Sequence, residues 1–256
     1  MLSRAISSFG TTALGWMRDA GRMSLLASRV MVAPLRRTFE RHELLRQLER
    51  FGVGSLVVLS VTALLVGSIM VVQSGLYVRR FGVQELVGWF AGYGVLRDVG
   101  PLVAGLVFSG RVGSRNAAEL ASMSTRDQLE GLRAVGIDLV PVVVAPRLWA
   151  MVLSLCGLYL IGSAISVVSA AGAAKLLLNI DGAQFLRSFT DRTQLADLGS
   201  GLLKSAAFGV AVGLVSCEAG LSAHGGASAV GRAAKDAVVR SAVWIVVLDL
   251  VVARVL

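Results

Sequence analysis

Long uncharged apolar runs alternate with short charged stretches along this chain of 256 residues. The clearest run is Phe51–Val78, which contains no charged residue and ends at Arg79 and Arg80. A helix rises ~1.5 Å per residue, so ~20 residues cross the hydrocarbon of a bilayer. The run is long enough to span, with room for tilt. A second apolar segment covers Leu86–Leu96 and Val99–Gly110, with Arg97 and Asp98 between them and Pro101 just beyond. Proline inside a helix removes a backbone hydrogen bond and kinks it. This segment therefore either spans with a kink or re-enters. Arg97 and Asp98 are adjacent, so they cannot share one helix face, and each needs its own partner.

The remaining pattern follows the same rhythm. Arg111–Arg147 starts polar and becomes amphipathic. Leu148–Ala174 is a third uncharged span, and Lys175–Asp197 reads as a polar loop. Leu198–Cys217 is a fourth span carrying Lys204 near one end. Glu218–Lys235 is polar and glycine-rich, and Ala237–Leu256 is a fifth span with Arg240 near its start and Asp249 inside it. The expected fold is an all-α membrane protein with about five transmembrane helices.

The first fifty residues differ. They hold nine arginines, and Leu2, Ile6, Phe9, Ala13, Trp16 and Met17 recur at spacings of three and four. That is an apolar stripe with basic flanks, the pattern of a helix lying in the membrane interface. Arg18, Asp19 and Arg22 interrupt any signal-peptide core, so a retained helix is the better reading. The chain divides into 1–50, an interfacial basic amphipathic helical segment, and 51–256, a transmembrane domain.

Composition supports the membrane class. Hydrophobic residues make up 55% and charged residues 16%, where a soluble domain has about 25% charged. The mean hydropathy is +0.73. The net charge of +9 sits in blocks between apolar runs, which argues against a nucleic-acid-binding face. With the N-terminus in the cytoplasm, 1–50, 111–147 and 218–240 lie inside and carry 17 of the 25 Lys and Arg. The positive-inside rule favours that orientation.

Little else in the chain suggests chemistry. Cys156 and Cys217 lie in apolar runs and His42 and His224 stand alone, so neither a disulfide framework nor a metal site is expected. The run Gly199–Ser205 has the look of a phosphate-binding loop. It lacks the glycine before Lys204 and sits in an apolar span, so it is a decoy. No catalytic residue is expected. Gly88/Gly92 and Gly209/Gly213 have the spacing that lets helices approach closely, through packing inside the chain or between copies.

Two blocks then carry a resemblance. The first runs Leu96-Arg97-Asp98-Val99-Gly100-Pro101, Ser109-Gly110-Arg111-Val112-Gly113-Ser114 and Ala117-Ala118-Glu119-Leu120-Ala121-Ser122-Met123. It continues through Thr125–Glu130, Gly136-Ile137-Asp138 and Ala145-Pro146-Arg147. The second comprises Gly201–Ser205, Phe208-Gly209, Gly213-Leu214, Ser216-Cys217, Gly220-Leu221, Gly225–Ala227, Val230–Ala233 and Ala237–Ser241. Together they resemble the MlaE/YrbE permeases, the membrane subunits of phospholipid- and Mce-type ABC transporters. The likeness covers roughly residues 50–256. It departs at Asp98, where the family usually has Glu, and at Leu139, where it usually has Pro.

The resemblance implies a homodimeric, multi-pass permease of the bacterial inner membrane with its N-terminus in the cytoplasm. It implies a separate ABC ATPase subunit that holds ATP and Mg, leaving no cofactor on this chain. It also implies an MCE-domain lipid-binding partner and membrane lipids as cargo. Glu119–Arg133 would be the cytoplasmic coupling helix, with Glu119, Arg126, Asp127, Glu130 and Arg133 meeting the ATPase. A solvated interfacial helix would carry the same charges. A lipid pocket needs an apolar, adaptable wall. Leu96, Val99, Leu102 and Val103, with Trp89 and Tyr93 near the outer end, could supply it; core packing would use the same side chains. Arg97, Asp98, Lys204 and Asp249 are intramembrane polar residues and functional candidates by default. Asp249 suits equally a structural pair with Lys204 or Arg97. A secondary transporter and a non-transporting membrane scaffold are the competing classes.

Overall fold

The computed structural model describes residues 21–30, 41–81 and 86–255. The stripe from Leu2 to Met17 lies outside the described residues. Helix α1 covers 21–30, followed by α2 (Arg41–Leu48), α3 (Gly54–Phe81), α4 (Val87–Tyr93), α5 (Gly100–Phe108) and α6 (Ser114–Thr125). Then come α7 (Gln128–Ala134), α8 (Ala145–Leu178), α9 (Gly182–Arg192), α10 (Leu195–Leu221) and α11 (Ala227–Val255). No strand occurs among the described residues.

Four π turns join these helices end to end: Glu49–Val53, Gly94–Val99, Ser109–Gly113 and Val140–Val144. They fuse α2 to α3, and α4 through α5 to α6. Four of the resulting rods are long and apolar enough to cross a membrane: His42–Leu76, Val87–Thr125, Val140–Leu178 and Leu195–Leu221. The protein is therefore an all-α membrane protein. Helix α11 carries six charged residues and stands outside that group. It turns back along α10 after a tight connection with left-handed Gly225 and Gly226.

Several expectations need correction. The second apolar segment does not end at Gly110; its rod continues through Arg111 to Thr125. The Arg111 guanidinium bends away to donate to the Gly54 carbonyl, 2.9 Å off, which leaves the rod intact. The segment 119–133 is not one helix. It breaks at Arg126 and Asp127, where Asp127 adopts a left-handed φ of 58° that Asp tolerates better than most residues. The stretch 175–197 is not a loop, because α8 runs to Leu178 and α9 fills most of the rest. Phe185 and Phe189, one turn apart, seat α9 on α4.

The paired glycines explain that contact. A Cβ on Gly88 would strike the Phe185 carbonyl, and one on Gly92 would strike the Phe189 ring. Gly209 and Gly213 do the same for α8, where added Cβ atoms would lie 2.8 Å from Val152 Cα and 3.0 Å from Leu148 Cγ. Both pairs therefore serve packing within the chain. Helix α10 sits at the centre, against α5, α6, α8 and α11. At one end of the bundle, Met23 and Val30 of α1 join Leu120, Leu129, Leu139 and Val144 in a common apolar cluster.

Candidate functional site

Pro101 shapes the middle of the second rod. It has no N–H to offer the preceding turn, and the backbone widens into the π turn Gly94–Val99. The Leu96 carbonyl instead accepts the buried Tyr159 hydroxyl of α8 at 2.7 Å. Gly201 of α10 packs against both groups, and a Cβ there would collide with each. The run dismissed as a decoy phosphate loop is thus mid-helix, and its Gly201 makes room for a carbonyl.

The same π turn displays Arg97 and Asp98 in different directions, as their adjacency requires. Arg97 Nη1 lies 3.3 Å from Asp197 Oδ1 at the start of α10, and its guanidinium stands 5.4 Å from the centre of the Tyr93 ring. Asp98 accepts a 2.6 Å hydrogen bond from Lys204 Nζ. Asp249 of α11 lies 3.0 Å from the same ammonium. Lys204 is 1% exposed, so its charge is out of water and held by two carboxylates. A buried ion is tolerated only when paired in this way. Of the two partners expected for Asp249, Lys204 is the one it meets. Asp98 as a second partner was not foreseen.

The six residues assigned to a lipid wall do not converge on one pocket. A narrow apolar cleft with about 30 Å³ of free volume lies between α3, α5 and α8, lined by Leu59, Val66, Val103, Ala104, Leu158 and Tyr159 among others. Val103 is the one of the six that lines it. Leu96 is buried, Val99 half-buried, and Leu102 packs on the core around Phe108 and Phe208. The Trp89 and Tyr93 rings lie tilted with centres 6.1 Å apart, and the Trp89 backbone N–H donates to Ser188 Oγ of α9 at 3.3 Å.

The charged residues of the expected coupling segment divide in two. Arg126, Asp127, Glu130 and Arg133 are exposed around the α6–α7 elbow, whose inner side is fixed by buried Leu129. Glu119, about two turns before the elbow, faces other helices of the same chain. Arg50 forks onto its carboxylate, with Nη1 2.9 Å from Oε2 and Nη2 on Oε1. Arg147 Nη1 lies 3.3 Å away and Arg115 Nε 3.6 Å away. Arg147, 8% exposed, also donates to Asn116 Oδ1 at 3.0 Å, and Asn116 donates to Ser216 Oγ at 2.9 Å. A polar chain thus runs from Arg50 into the core. It was missed in the sequence because Asn116 and Ser216 are unremarkable residues in small-residue runs.

A second cluster at this end was also missed. Glu218 near the end of α10 accepts from Arg240 of α11 at 2.7 Å, and Arg22 of α1 lies 3.7 Å away.

Residues 44–255 match the sequence profile of the family described as Permease MlaE. A probable ABC transporter permease protein of Rickettsia typhi is 32% identical, over 83% of this chain and 82% of its own length. The chloroplastic protein Trigalactosyldiacylglycerol 1 of Arabidopsis thaliana is 30% identical, over 89% of this chain and 65% of its own length. The intermembrane phospholipid transport system permease protein MlaE of Haemophilus influenzae is 25% identical, over 100% of this chain and 98% of its own length.

Proposed function

The chain belongs to the MlaE permease family, a family of ABC transporter permeases, and from that premise we propose that it moves phospholipid or a related lipid between the inner membrane and a periplasmic MCE-domain carrier. A separate ATPase subunit supplies the energy. The observation that carries this reading is the exposed α6–α7 elbow. Four charged side chains surround a turn that joins two membrane-length rods. A soluble motor docked there can displace both rods at once. The phospholipid named for the Haemophilus relative supports the cargo.

In this reading α11 forms a fifth span and the elbow faces the cytoplasm, with the N-terminal segment on the same side. The concentration of Lys and Arg in 1–50, 111–147 and 218–240 supports that side. ATP and Mg bind the partner and not this chain. Two copies pair, and closure of two ATPase subunits moves the elbows, which opens or collapses a lipid path between the copies. Val103 and the cleft beside it lie along that path. Arg97, Asp98, Lys204 and Asp249 hold the rods in register around it.

The test is affinity purification of the tagged chain in mild detergent, followed by mass spectrometry of co-eluting proteins and lipids. The expected result is an ATPase, an MCE-domain protein and bound phospholipid. A crosslinked, natively expressed homo-oligomer carrying neither protein would overturn the assignment and favour a secondary transporter or a scaffold.

A further inference from the structure

Glu119 is held from three directions, and the three grips are unequal. Arg147 reaches it from the first turn of α8, is buried, and is tied to Asn116 as well. Arg115 comes from one turn earlier on α6 and is the longest of the three. Arg50 comes from the π turn Glu49–Val53, inside the first rod at the junction of α2 and α3, and makes the forked pair. A forked arginine–carboxylate pair fixes orientation as well as distance, which a single point contact does not.

Packing gives this pair its importance. Helix α6 lies against α10 and α11, and it shares no extensive interface with α2 or α3. The Arg50–Glu119 fork therefore ties α6 itself to the first rod, alongside the Arg111–Gly54 hydrogen bond from the π turn that precedes α6. Its lower end sits in a π turn, where the regular hydrogen-bond ladder is already interrupted; such turns recur at functional sites. The first rod also borders the apolar cleft, through Leu59, Thr62, Ala63 and Val66.

Resting on the reading of the elbow as the ATPase docking site, we infer that Glu119 is a positioning residue that passes displacement of the elbow to the first rod through Arg50. Contact with the ATPase then falls to Arg126, Asp127, Glu130 and Arg133. Movement of α6 pulls the fork, the fork pulls the π turn, and α3 shifts at the cleft.

The experiment uses the complete complex reconstituted in vesicles, with Arg50→Gln as the main variant. This change leaves the partly buried Glu119–Arg147 pair intact, so folding is spared. Three quantities are read: ATPase co-purification, ATP hydrolysis, and transfer of fluorescent phospholipid. The expected result is an ATPase still bound and still hydrolysing, with lipid transfer reduced about tenfold, within the usual range of coupling between sites. Arg50→Lys, which keeps the charge and loses the fork, should recover part of the transfer. It also serves as the test if Arg50→Gln fails to assemble, a transfer loss with normal hydrolysis again being expected. Unchanged transfer in a working complex overturns the inference alone. So does loss of the ATPase from a variant with the wild-type melting temperature, because Arg50 would then be part of the docking surface. A wild-type complex that carries no ATPase overturns the functional reading beneath it, and this inference with it.

Discussion

Helices α3 and α10 are both long and apolar, yet they are held in different ways. The α2–α3 rod has 22% of its most apolar stretch buried, while α10 has 61%. The α3 surface presents Val57, Val61, Leu65, Ile69 and Leu76 outward. It is fastened to α8 through hydroxyls: Ser166 Oγ donates to the Ala63 carbonyl at 2.7 Å, Ser169 Oγ to the Leu64 carbonyl, and Ser68 and Ser169 lie 2.8 Å apart. Helix α10 instead presents glycines to its neighbours and buries a lysine. In a bilayer the lipid tails are as apolar as leucine, so apolarity does not decide which helix lies inside. Small residues and satisfied polar groups decide it.

Four substitutions separate the two regions. The largest effect should come from Lys204→Met, which leaves Asp98 and Asp249 without their cation. Removing one partner of a buried pair costs about 3–5 kcal/mol, so the variant should melt well below the parent in detergent. A melting curve that overlays the parent would show that the cluster does not hold α10. Next is Gly209→Leu, which forces α10 away from Val152. Overpacking of this kind costs about 1–3 kcal/mol, and aggregation on size-exclusion chromatography should rise accordingly. Monodisperse, fully stable protein would mean the α8–α10 seam is slack. Ser166→Ala removes one hydroxyl bond between α8 and α3, worth about 0.6 kcal/mol in membranes, a small shift in guanidinium or SDS titration. A loss several times larger would make the hydroxyl seam the principal fastening. Smallest is Val57→Leu on the outward face, where a change within about 0.5 kcal/mol is expected. A large destabilisation, measured by the same titration, would show that this face is covered by protein and not by lipid.

Much of this contrast can be read in the sequence. Apolar runs locate the rods, and the cost of charge in lipid announces that Lys204 and Asp249 need partners. The separation of Arg97 from Asp98 also follows, since neighbours on a helix diverge. The identity of Asp98 as a Lys204 partner does not follow, because it depends on the π turn that Pro101 and Gly100 create. Helix α9 carried a visible signal in Phe185 and Phe189, four apart. The charged residues around them hid it, as did reading Gly88 and Gly92 without asking which side chains they admit. The inward turn of Glu119 was invisible because Arg50 and Arg147 lie 69 and 28 residues away in sequence.

The shared ammonium of Lys204 also has a consequence for biogenesis. Asp98 is synthesised 106 residues before Lys204, and Asp249 later still. At ribosomal rates of roughly 5–20 residues per second, the second rod waits about 5–20 s for its counter-ion. During that interval Asp98 has no cation from the fourth rod. Even in the finished fold half of its side chain is left uncovered by protein. The Asp98–Lys204 pair therefore forms only after the fourth rod has been made. A nascent chain arrested before that point should remain a set of loosely associated helices, open to the insertase and to proteases, however complete its first three rods are.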